Sequence, residues 1–158
     1  MNILLRFLLS VVAIFSAFSC NVSKETTQEP LNIIEGIQQI DGGWSVVKLY
    51  DQPTTGEEKP TIFFYTGEGR VAGSTPCNRL LGTYVFKEEN PGKISFPQIG
   101  TTMMACPDSN IETSYLNALE EATDLRIRTN SETTQLFLLN KSEEVIIVLE
   151  KILDPQPE

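Results

Sequence analysis

The chain has 158 residues, 12 basic and 21 acidic, for a net charge of −9, and it contains no histidine. That length holds one modest domain plus an appendage. An acidic balance with no basic patch argues against nucleic acid as a partner and against charge-driven binding to anionic lipid surfaces. The missing histidine removes the usual partner of a cysteine nucleophile and the commonest zinc ligand.

Residues 1–19 have the layout of a bacterial secretory signal: an early positive charge at Arg6, an apolar stretch from Phe7 to Phe18, then small residues before Cys20. The apolar run is short for a membrane span, and no basic stop-transfer cluster follows it. AFSC, at 17–20, resembles the lipobox of bacterial lipoproteins, where cleavage falls just before a diacylated cysteine. The same residues satisfy an ordinary small-x-small site that cuts at the same bond. Lipidation of Cys20 is the favoured reading, because NVSKETTQEP after it is polar and ends in proline, as suits a tether. The sequence thus divides into a lipoprotein signal (1–19), a tether (20–38), a domain (39–153) and a tail (154–158). Loss of Arg6 with the signal leaves a side-chain charge of −10. Membrane attachment is then expected through acyl chains.

Residues 31–40 read as a short helix or a first strand, weakened either way by Gly36. Asp41-Gly42-Gly43 reads as a turn, and WSVVKLY as a strand with Trp44, Val46 and Lys48 on one side. Residues 51–60 are polar and proline-containing, hence a loop. TIFFYTGEGRVAG is the clearest hairpin in the chain. LLGTYVF is another strand, in which Gly82 signals a bulge or a close backbone approach. A Pro-Gly turn leads into KISFPQI. PDSNIETSYLNALEEA is a helix, with Ser109 as N-cap, Glu112 completing a capping box, and Ile111, Tyr115, Ala118, Leu119 and Ala122 on one face. DLRIRT, TQLFLL and EEVIIVLEKIL are the closing strands. Many short strands with one helix predict a mainly β fold, an antiparallel sheet curled over the helix or a small barrel.

With Cys20 assigned to the anchor, Cys77 and Cys106 remain as an even pair in an oxidising compartment, where a disulfide is the default. Two reduced, buried cysteines are the other reading. Met103 and Met104 are adjacent, face opposite sides of a strand, and read as core rather than as soft metal ligands. No metal and no cofactor is expected.

Trp44, TIFFY, GSTPCNRLLGTY, TTMMACPD and NIETSYLNAL occur in an order that resembles the META/HslJ-type domain family of small bacterial envelope proteins. The resemblance covers residues 39–153, with Pro76 standing where the family usually has glycine. It implies a lipocalin-like, partly open antiparallel β-barrel with a helix packed at one side, and it implies that Cys77 and Cys106 lie close in space. It supplies no activity. Asn78, Arg79 and Tyr84 are the motif's polar residues. They form a recognition patch, or else Asn78 caps a turn, Arg79 lies over the sheet and Tyr84 packs.

The expectation is a non-enzymatic, monomeric, lipid-anchored cell-envelope protein, on the periplasmic or outer surface and foremost of the outer membrane. Its role would be binding or structural, connected with stress, with an envelope protein as possible partner. The alternatives are a carrier of a small apolar ligand and a protein-binding module such as a protease inhibitor or chaperone accessory. The core expected from Phe63, Phe64, Leu80, Phe86, Phe96 and Phe137 argues against a roomy interior.

Overall fold

A computed structural model describes residues 30–55, 59–105 and 110–152. Cys20, Cys106, the Ser109 cap, the signal and the 154–158 tail lie outside the described residues.

The strands are β1 (Asn32–Ile33), β2 (Gly42–Leu49), β3 (Gln52–Pro53), β4 (Thr61–Tyr65), β5 (Arg70–Ser74), β6 (Arg79–Phe86), β7 (Ile94–Thr101), β8 (Asp124–Thr129), β9 (Thr134–Leu139) and β10 (Val145–Lys151). One helix, α1 (Asn110–Glu121), separates β7 from β8. A single antiparallel sheet runs in the order β1-β8-β9-β10-β2-β4-β5-β6-β7, with β3 attached to β2. The sheet curls until its far ends touch. Ile94 N–H donates to the Thr123 carbonyl at 3.1 Å, and Leu125 N–H donates to the Gly92 carbonyl at 2.7 Å. The result is a mainly β half-barrel with one helix, as the strand pattern predicts.

The interior is filled by side chains. Trp44, Tyr115, Phe64, Ile34, Leu119 and Leu136 are among the fully buried residues, and they join strands from both halves of the sheet to α1. Trp44 begins the domain because its bulk fills this core while its one donor is met: Nε1–H donates to the Ile40 carbonyl at 2.7 Å. Ile40 ends a 3-10 turn over Ile37–Ile40, so the 31–40 segment holds a two-residue strand and a short turn.

Several local expectations change. Gly42 and Gly43 begin β2 instead of forming a turn. Phe63 faces outward and covers Gly43, where a Cβ would come within 2.6 Å of its ring, whereas Phe64 enters the core. Lys48 leaves the Trp44–Val46 face because pairing with β10 skips Val47. That bulge turns Leu49 inward and Lys48 out. The 51–60 loop carries the two residues of β3. Another irregularity falls in β7 near Pro97, a residue that edge strands and bulges tolerate.

Gly82 marks a close approach of backbones. A Cβ there would lie 2.2 Å from the Gln98 carbonyl oxygen on β7, which is backbone and has no rotamer to escape into. Gly82→Ala is therefore expected to destabilise the domain by about 2 kcal/mol, read as a lower urea midpoint at unchanged slope.

Where the sheet ends meet, Asp124 is buried and accepts from Lys93 Nζ at 2.7 Å and Thr123 Oγ1 at 2.9 Å, with Arg126 at 3.5 Å. Burial alone would push the carboxyl up. The Lys93 and Thr123 hydrogen bonds and the charges of Lys93 and Arg126 outweigh it, so the carboxyl sits below its ordinary value. A lowered folded-state pKa gives stability that is present above the unfolded value and is lost as pH falls through the folded one. Asp124→Asn is expected to cost about 2 kcal/mol at neutral pH. In urea melts at descending pH the variant and the parent should converge below about pH 4.

Candidate functional site

The motif around Cys77 folds as a tight turn between β5 and β6. Thr75 N–H donates to the Asn78 carbonyl at 2.8 Å, while Thr75 Oγ1 accepts from Asn78 N–H at 2.8 Å and Cys77 N–H at 3.3 Å. A Thr three residues before Asn suits such a turn, since its hydroxyl both accepts and donates.

The Asn78 side chain points inward and is buried. Its Nδ2 donates to both carboxylate oxygens of Glu112, at 3.1 and 2.9 Å. Its Oδ1 accepts from Thr102 Oγ1 at 2.9 Å and Met104 N–H at 2.8 Å. Glu112 also accepts from Thr75 Oγ1 at 2.5 Å, and Thr102 Oγ1 accepts from Arg79 N–H at 3.0 Å. One amide thus ties the Cys77 turn, the 102–104 segment and the first turn of α1. Glu112 stands where a carboxylate opposes the positive end of the helix dipole. In the sequence it reads as half of a capping box with Ser109, which lies outside the described residues; its carboxylate also grips the turn before β6.

The three polar motif residues do not share a surface. Asn78 is inside the clamp, and Arg79 is exposed on the outer side of β6. Tyr84 is buried on the inner side, with its ring edge-on to Phe64 at 5.4 Å. Among the described residues its buried hydroxyl has no hydrogen-bond partner, and burial pushes the phenol up, as it does for Tyr115 inside α1. Cys77 is half-buried beside Asn78. Met103 and Met104 are the surprise. They are 99% and 64% exposed, against the burial their apolarity predicts, because β7 ends at Thr101 and the Thr102 hydroxyl and Met104 N–H hold the following segment on Asn78 Oδ1.

Chemically this is a clamp. Its donors and acceptors face one another, and its carboxylate is occupied by an amide and a hydroxyl. Among the described residues no three His, Cys, Asp or Glu side chains are placed to hold a metal ion, and no helix is long and apolar enough to cross a membrane. The surface has clefts of modest size, such as one of about 520 Å³ bordered by Tyr50, Asp51, Glu121 and Asn140. That cleft is bordered by none of the clamp residues.

A curled antiparallel sheet with one helix locked to its CN…GTY turn defines a class of small β domains. Residues 37–152 match the META domain model, and the chain belongs to that family. Two solved structures share the fold. A Burkholderia xenovorans protein, determined by NMR, is 23% identical, with a TM-score of 0.61 over 84% of this chain and 97% of that one. A DUF4847 family protein from Bacteroides vulgatus, a crystal structure, is 16% identical, with a TM-score of 0.53 over 76% of this chain and all of that one. No curated protein matches the sequence.

Proposed function

We propose that the chain is a cell-envelope lipoprotein, anchored through Cys20, whose META domain is a rigid, non-catalytic binding or structural module cross-linked by Cys77 and Cys106. The observation that carries this reading is the clamp. The polar residues best placed by the motif for chemistry spend their hydrogen bonds on holding the helix and two loops together. The AFSC sequence and the polar stretch after it support the anchor, and the position of Cys77 on the clamped turn supports a crosslink at that end of the sheet. An outer-membrane location and a role in envelope stress fit this reading.

Growth with an alkyne fatty acid tests the anchor. The parent is expected to take up label and fractionate with membranes, while Cys20→Ala loses both. Equal labelling of the two would overturn it.

One observation favours a protein partner over a small apolar ligand. The interior is packed, whereas Met103, Met104 and Leu81 are exposed together at the Cys77 end of β6 and β7. Adaptable, polarizable methionines suit a protein contact. A photo-crosslinking residue at position 103 should yield a discrete adduct in cells, abolished by Met104→Asp and Leu81→Asp together.

A further inference from the structure

At the opposite end of β6, the β6–β7 turn borders a cleft of about 280 Å³ lined by Val85, Lys87, Asn90, Lys93, Ser95 and Thr123. Lys93 gives one N–H to Asp124 and remains partly exposed, so two donors of its ammonium face outward. Lys87 is exposed and has no ion pair among the described residues. Two apolar side chains stand at the rim, Val85 at 47% and Ile33 at 57% exposure. Ile33 belongs here because β1 pairs with β8 at Arg126–Ile127, which brings its Cγ2 within 3.5 Å of the Cβ position at Gly92 in the same turn.

Ile33 is also near the point where the chain enters the domain. The described chain starts at Pro30, and residues 21–29 separate it from Cys20. Fully extended, those residues span at most about 30 Å. An acyl anchor at Cys20 therefore holds this end of the half-barrel close to the bilayer at high effective concentration, so weak contacts suffice. Glu88 and Glu89 in the turn and Asp124 behind it balance the local charges of Lys87, Lys93 and Arg126. A locally neutral, mixed-charge face does not require an anionic membrane. Distant acidic residues matter little beyond a Debye length of about 8 Å.

We propose that this end of the domain docks on the phospholipid surface, with headgroup phosphates on Lys87 and Lys93 and with Val85 and Ile33 dipping into the interface. The proposal rests on the anchored reading above. It makes the β6–β7 turn the membrane side and leaves the exposed methionines pointing away from the bilayer.

The test is lysine acetylation followed by mass spectrometry, on the acylated chain in phosphatidylethanolamine–phosphatidylcholine vesicles. A mature chain with Cys20→Ser, held on chelating lipid by an N-terminal polyhistidine tag, serves as a second form, and the same chain free in solution as the reference. Lys59, exposed at the Cys77 end of the sheet beside Thr61, is the internal standard. Lys87 is expected to react at least about threefold more slowly relative to Lys59 on vesicles than in solution, in both tethered forms. Ile33→Asp with Val85→Asp should restore the solution ratio while the tether still holds the chain on the vesicle. An unchanged ratio in both tethered forms overturns the docking face. Slowing of Lys87 by excess inorganic phosphate without vesicles also overturns it, by showing a soluble-anion site. The tagged chain tests docking without acylation, so a chain that is unacylated in cells defeats the anchor and leaves the docking result readable.

Discussion

Replacing Asn78 with alanine is expected to lower the stability of the domain by about 3–4 kcal/mol, more than any other single polar side chain described here. Among the described residues the amide makes four side-chain hydrogen bonds from a buried position: two to Glu112, one from Thr102 and one from the Met104 backbone. Truncation removes the acceptor that the Met104 N–H and the Thr102 hydroxyl share. It also removes the neutral partner that lets Glu112 sit against the turn. For a domain of this size the loss corresponds to a fall in melting temperature of about 10–15 °C. Arg79→Ala, next in sequence but exposed, should change stability by less than about 0.5 kcal/mol. Calorimetry on the two variants checks the contrast, and amide exchange should show α1 loosening in the first variant only. Asn78→Asp is nearly isosteric but puts a second carboxylate within hydrogen-bond distance of Glu112, so it should not rescue the clamp.

The second large effect belongs to the proposed crosslink. A Cys77–Cys106 disulfide closes a loop of about 30 residues, which on chain-entropy arithmetic stabilises the fold by about 3–4 kcal/mol. The closed loop contains β6 and β7, the strands that end at the clamp and at the β6–β7 turn. Reduction is expected to lower the unfolding free energy of the parent by that amount, read as a lower urea midpoint with a steeper slope as the unfolded chain expands. Cys77→Ser should melt like the reduced parent and be indifferent to reductant. A parent whose midpoint ignores reductant would contradict the pairing.

Much of the fold was legible because hydrophobic alternation in a curled sheet is dictated one strand at a time. DLRIRT and TQLFLL form strands over the residues their pattern indicates, and Gly82 flags the close approach it makes to Gln98. The errors fall where pairing overrides local pattern. Alternation puts Lys48 on the Trp44 face, but the bulge at Val47 is set by β10, roughly a hundred residues away in sequence. Phe63 looks like core in a β-branched and aromatic run, yet the register of β4 on β2 seats it over Gly43. The clamp was half legible. Asn78 and Glu112 each carry a local signal, a turn residue and a first-turn acid, but nothing local says that they meet. Thr75 and Thr102 carried no signal until the fold brought them beside Asn78. Met103 and Met104 misled because apolarity predicts burial only while the strand continues, and β7 ends at Thr101.

Intact-mass measurement of the protein from its native membrane separates an anchored, cross-linked envelope module from an unmodified one. With alkylation before and after reduction, the expected species is a chain beginning at Cys20 that carries acyl mass, with Cys77 and Cys106 alkylated only after reduction. A chain without acyl mass whose Cys77 and Cys106 react freely before reduction would contradict both the anchor and the crosslink.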